Sequence, residues 1–190
     1  MKKVKLKAKS KNNVFSIACG IIAGLVVVLL IVLGVKIFGK KPKKMTPKIF
    51  TYELDEKGNV CITGLSDWGR DSALIVIPES IDGHEVVEIA DNAFESNTTI
   101  TSVTLPESIK KIGNRSFYNC VKITEITLPS NLISIGAECF YGSGIKEITI
   151  PKSTLTIGLN ALKGFDTVYY YSDYVTGSPW GASNAKLITD

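Results

Sequence analysis

One histidine, four cysteines and a serine set between glycines are the residues that could support covalent or acid–base chemistry in this 190-residue chain. His84 follows Asp82-Gly83 in "IDGHEV". That dipeptide is a turn signal, so the imidazole reads as a solvated loop residue without a substrate to work on. Ser143 lies in "YGSGI", which is not the G-x-S-x-G frame of a nucleophile elbow and brings no base with it. Cys19 falls in a long apolar run, which leaves Cys61, Cys120 and Cys139, an odd number. Cys120 and Cys139 alternate in register with Ser, Ala and Asn elsewhere, as small packed core residues do. The acids are scattered, and no phosphate loop, dinucleotide fingerprint or metal spacing is present. The expectation is therefore no catalysis, no cofactor and no metal, and function carried by surface.

The surface is written in short alternating stretches: "LIVIP", "SVTLP", "EITLP" and "EITIP". Alternation of apolar and polar residues has the period of a strand with one buried face. Ile75 and Ile77, Val103 and Leu105, Ile126 and Leu128, Ile148 and Ile150 point inward. Val76, Thr104, Thr127 and Thr149 then point outward and stack into a continuous ladder, with Glu125 and Glu147 beside them. Threonine suits any solvated strand face. The same ladder would serve as a recognition face for a protein or glycan, as the parallel strands of stacked repeats do.

These stretches are held by a repeat. "SVTLPESIKKIGNRSF", Ser102 to Phe117, returns 23 residues later as "EITLPSNLISIGAECF", Glu125 to Phe140. Pro106, Pro129 and Pro151 are spaced 23 and 22, and each closes a strand because proline cannot donate to a ladder. Gly113, Gly136 and Gly158 recur at one register, which predicts a corner with positive φ. Phe94, Phe117 and Phe140 form a column, with Leu162 in the next place, and each coil closes on Ile100, Ile123, Ile145 or Val168.

A period of 22–23 residues means a solenoid, about four coils plus caps. One coil buries about six apolar side chains at about 1.5–3 kcal/mol each. Ordering its backbone costs about 1–2 kcal/mol per residue. Only stacking, which buries both faces of each coil, reverses that balance. The extra residues between Pro78 and Phe94 predict a hairpin turning at Asp82-Gly83. "FTYELDEKGNVCITG" predicts a strand–turn–strand cap. At the other end "TVYYYSDYVTGSPWGASNAKLITD" breaks the repeat, with Tyr169, Tyr170, Tyr171, Tyr174 and Trp180 covering the last coil.

The pattern I-x-I-P-x-S-I-x-x-I-G-x-x-A-F-x-x-C resembles the BspA-type (Treponema pallidum-type) leucine-rich repeats over about residues 50–190. The resemblance implies a β-rich solenoid of leucine-rich-repeat type. It also implies a non-catalytic bacterial cell-surface protein that binds matrix or other proteins. The consensus cysteine is kept only at Cys120; Asn97, Ser143 and Phe165 replace it.

Charge is segregated. Residues 1–44 hold 11 of the 22 Lys+Arg and no acid, while residues 45–190 hold the other 11 and all 18 Asp+Glu, a net of −7. An acidic domain repels phosphate, which excludes nucleic acid as its partner. Residues 14–35 are 22 residues without a charge, enough to cross a bilayer core as a single transmembrane helix. No cleavage pattern follows, so the run reads as an uncleaved signal anchor. Six lysines lie on each side, so flanking charge alone does not orient it. With the resemblance, the expected order is a cytoplasmic basic arm (1–13), the membrane helix (14–35), a basic linker (36–50) and an extracellular repeat domain (51–190) at the cell membrane. Gly20 and Gly24 permit weak helix pairing, which keeps open a structural or assembly subunit of an envelope membrane complex.

Overall fold

The computed structural model describes residues 49–171 and 179–189. The basic arm, the apolar run with Gly20 and Gly24, most of the linker, and Tyr174 lie outside the described residues. Among the described residues no helix is long and apolar enough to cross a membrane. The described residues form twelve strands: β1 (Phe50–Leu54), β2 (Val60–Leu65), β3 (Leu74–Val76), β4 (Ser80–Ile81), β5 (His84–Ile89), β6 (Ser102–Thr104), β7 (Lys111–Ile112), β8 (Ser134–Ile135), β9 (Glu147–Ile150), β10 (Thr156–Ile157), β11 (Thr167–Tyr170) and β12 (Asn184–Leu187).

The strands make two walls of a solenoid. In one, β2, β5, β7, β8 and β10 run parallel in successive coils, and β1 closes the amino end antiparallel to β2. In the other, β3 pairs β6, Val103 bridges Ile126, and β9 pairs β11, which pairs β12, all parallel. The expected amino cap is thus half cap and half coil: β1 caps, while β2 joins the ladder. The insertion is the expected hairpin, β4 against β5, with Asp82 and Gly83 both at positive φ (52° and 91°) as its two-residue turn requires. His84 is the first residue of β5, not a loop residue; it is exposed, and its Nδ1 lies 2.7 Å from the Gly58 carbonyl.

Between the walls, each coil turns a corner that stacks on the next by backbone hydrogen bonds. Asn92, Phe94 and Ser96 donate to Asn114, Ser116 and Tyr118; Arg115, Phe117 and Asn119 donate to Ala137, Cys139 and Tyr141. The glycine column has a different cause from the one expected. Gly113, Gly136 and Gly158 do not have positive φ. A Cβ on Gly113 would lie 2.5 Å from the Asp91 amide nitrogen, and on Gly136 and Gly158 it would overlap the backbone of Asn114 and Ala137. Glycine is needed there for close approach between coils, not for φ. The left-handed corners fall two and six residues later, at Arg115 (53°), Glu138 (53°) and Asn160 (54°), and at Asn119 (54°), Gly142 (72°) and Gly164 (103°).

The core is the expected columns. Ile75, Ile77, Val103, Leu128, Ile148 and Ile150 are buried, with Leu105 and Ile126 half-buried. Phe94 and Phe117 stack at 5.2 Å, and Phe117 and Phe140 at 5.4 Å, nearly parallel at 4°. Leu162 is buried in the next place, but the ring that meets Phe140 is Phe165, edge-on at 6.3 Å. Phe165 stands at the consensus cysteine position, so an aromatic from one column completes its neighbour. The carboxyl end also departs from expectation. "TVYY" does not break the repeat: β11 continues the ladder on β9, and β12 continues it on β11. Trp180 is buried edge-on against Tyr170 at 5.6 Å.

Phe117→Ala would lower the unfolding free energy of the repeat unit by about 3–5 kcal/mol, and Gly136→Ala by about 1–3 kcal/mol, read from urea midpoints by circular dichroism. A neutral Gly136→Ala would refute close approach as the reason for that column.

Candidate functional site

The sequence-derived face is Val76, Thr104, Thr127, Thr149, Glu125 and Glu147, and all six side chains are exposed. The pairing places Val76 opposite Thr104, and Thr149 opposite Tyr169. The continuous ladder is not formed. Glu125–Leu128 touches β6 through one isolated bridge, and no strand pairing joins it to β9. Val76 and Thr104 therefore belong to one paired block, Thr149 to another, and Thr127 lies between them.

Two clefts flank Thr127. The larger, about 500 Å³, is lined by Ile126, Thr127, Glu147, Thr149 and Tyr169, with Glu107 at its edge. The smaller, about 400 Å³, is lined by Ser102, Thr104, Glu107, Glu125 and Thr127. Glu107 borders both and is held in place: its Oε2 accepts from the Ser130 amide at 2.8 Å and the Ser130 hydroxyl at 2.7 Å. No Lys or Arg lines either cleft, so both present carboxylates, hydroxyls and strand backbone.

Two residues at this face were not selected from sequence. Tyr169 follows Thr149 after 20 residues rather than 22–23, which hid its register; Val168 as the buried partner was the available signal. Lys186 follows Tyr169 in the same row and lies over its ring at 5.4 Å. The outward row thus runs from aliphatic Val76, through three threonines, to an aromatic and a cation.

The three described thiols are held protonated. Burial pushes Cys120 up to about 11 and Cys139 up to about 12, so neither is a thiolate at neutral pH. The Cys120 thiol donates to the Phe94 carbonyl at 3.0 Å, and the Cys139 sulfur lies 3.3 Å from the Ser116 hydroxyl. Burial also pushes half-buried Cys61 to about 11. All three are free. Among the described residues no group of three or more His, Cys, Asp or Glu is placed to hold a metal ion. Asn114, in an N-x-S triplet, is spent on structure: its amide bridges Asp91 and the Ala137 N–H.

Parallel strand walls, a 22–23-residue coil and a stacked aromatic column define a solenoid fold of leucine-rich-repeat type. Residues 77–170 match the family described as BspA type leucine rich repeat region, in six copies. Among solved structures, a leucine-rich repeat protein from Bacteroides capillosus is 28% identical, with 66% of this chain and 96% of that one covered and a TM-score of 0.56. The T. pallidum leucine rich repeat protein is similar in fold, at 24% identity, 69% and 71% coverage and a TM-score of 0.52. Against a leucine-rich repeat protein from Bacteroides ovatus, 28% identical with a TM-score of 0.47, 65% of this chain matches and spans 39% of the other's length. No curated protein matches.

At pH 8, a maleimide would leave Cys120 and Cys139 unmodified until the repeat unfolds, as read by peptide mass spectrometry. Their folded values exceed the ordinary thiol value of 9.0, so the folded state holds the proton longer than the unfolded one. Their contribution to stability is therefore full below pH 9 and falls as pH rises towards 11 and 12. A Cys139→Ala variant would lose part of that alkaline decline.

Proposed function

We propose that the chain is a membrane-anchored, surface-exposed binding module with no chemistry of its own, which takes a protein or glycan partner on the face around Thr127. The observation that carries this reading is the exposed row of Val76, Thr104, Thr127 and Thr149, with an acid-bordered cleft on each side of Thr127, where Glu125–Leu128 meets β6 through one bridge and does not pair with β9. Backbone groups that a continuous sheet would use internally are offered to a ligand there. Glu125 and Glu147 set the sign of that ligand's complementary surface.

The anchor rests on the uncharged run at 14–35 and its lysine flanks. Residues 51–190 then stand outside the cell on a short basic linker. The 13-residue arm is too short to fold and pairs its lysines with anionic headgroups.

Protease treatment of intact cells would remove the repeat domain and leave the anchor, read by antibodies to each end. Protection of the domain in intact cells would reverse the topology. Thr104→Lys with Thr127→Lys would weaken partner capture by about tenfold or more, equivalent to about 1.4 kcal/mol, with the circular dichroism melt unchanged. A folded double variant that retains its partners at full affinity would remove this face from the account.

A further inference from the structure

We propose that the partner taken on this face is a basic polypeptide and that Glu107 is the carboxylate that fixes it; this names the partner of the face proposed above and rests on that reading. A third cleft, about 480 Å³, joins the two that flank Thr127, and its lining includes Glu79, Ser80, Glu85, Glu107, Ser108 and Asn131. Glu107 therefore borders all three clefts. Five carboxylates, Glu79, Glu85, Glu107, Glu125 and Glu147, line the run, and no Lys or Arg does.

These charges are uncompensated. Elsewhere on the coils Glu88 pairs with Lys111 at 2.6 Å, and Arg115 joins Glu95 at 2.7 Å to Glu138 at 3.6 Å. The side chains of Glu79, Glu85, Glu125 and Glu147 are exposed and make no ion pair or hydrogen bond with any described residue. Charges of one sign along concave walls add into one negative potential, which concentrates cations there. Glu107 differs by being held. Its Oε2 accepts from the Ser130 amide and hydroxyl, and its own carbonyl accepts from the Asn131 side-chain amide at 3.2 Å. Its Oε1 accepts from no described residue. An oxygen already aimed loses little freedom when a donor arrives, and a bond between opposite charges is roughly twice as strong as a neutral one.

The arrangement selects among cations and among partners. Among the described residues no three of these carboxylates converge to hold a metal ion, so their charge is met by separate cations along the run. An anionic glycan is repelled by them, and a neutral one gains nothing from them. Tyr169, the ring that lines the larger cleft, already carries Lys186 at 5.4 Å and offers a sugar no open face. Lysine and arginine side chains on one polypeptide are cations spaced along a line. Its main chain also finds β9, which among the described residues pairs on one side only. The acid-rich cap lacks these features. There Asp55 accepts from Lys57 and Asn59, Asp67 is paired with Arg70, and Asp82 accepts from Tyr52, while Glu53 lines none of the three clefts.

The test uses the full-length chain in phosphatidylcholine nanodiscs, whose lipid has no net charge to draw a cationic probe. The probe is a fluorescein-labelled decapeptide of alternating lysine and threonine, read by anisotropy. A glutamate–threonine decapeptide and labelled cellohexaose are the comparisons. The lysine peptide alone is expected to bind. Glu107→Gln should weaken it about tenfold or more, whereas Glu53→Gln, which removes the same charge from the cap, should leave it nearly unchanged. Glu107→Gln keeps an oxygen for Ser130, and an unchanged circular dichroism melt would show the fold retained. If it melts lower, Glu125→Gln with Glu147→Gln carries the same comparison, since neither has a hydrogen bond to lose. Equal losses from Glu107→Gln and Glu53→Gln would reduce the effect to net charge and overturn the proposal. So would binding of the glutamate peptide or the sugar, or no binding of the lysine peptide. Binding that emerges only with Lys40→Gln, Lys41→Gln, Lys43→Gln and Lys44→Gln together would put the chain's own linker in the clefts and overturn an external partner. In each of these cases the face itself stands while Thr104→Lys with Thr127→Lys still weakens partner capture; if that also fails, both readings fall.

Discussion

The backbone of each coil rests directly on the backbone of the next, and this contact sets everything else. Gly113, Gly136 and Gly158 donate to Ile89, Ile112 and Ile135 at 2.8–2.9 Å, at points where the neighbouring chain leaves no room for a Cβ. That approach brings Phe117 and Phe140 to 5.4 Å and lets the Asn114 amide span to Ala137 at 2.7 Å. Packing of the aromatic column and satisfaction of the corner amides are two results of one spacing. A side chain in the glycine column would separate the coils and disturb both.

Most of this was legible because the chain repeats itself. Two echoes of 16 residues, 23 apart, mark the strands, the core columns and the corner in the chain itself. What could not be read was conformation that residue type does not announce. Arg115 and Glu138 take left-handed corners at 53° each, though neither is a usual choice there. Glycine suggested the positive φ instead, and its true reason, the nearness of another coil, is tertiary. The carboxyl end misled through spacing: Thr149 to Tyr169 is 20 residues, so a continuing strand looked like a broken repeat.

The candidate face was legible in its residues and not in its relief. Alternation correctly exposed Val76, Thr104, Thr127 and Thr149. It could not reveal that "EITLP" fails to pair with the "EITIP" that follows it, since the two differ by one residue. Pairing is a relation between coils rather than a property of either stretch, and the larger cleft lies along the one that is missing. Glu107 gained its place from the same cause: fixed on Ser130, it stands at the border of both hollows.

The two walls differ mechanically as a result. Along β5, β7, β8 and β10 every neighbouring coil is stitched to the next, whereas the other wall has an open seam between Leu128 and Glu147. A rod sewn on one side and parted on the other bends most readily about the sewn side, which acts as its spine. A ligand that widens the larger hollow therefore has no strand pair to break on that wall.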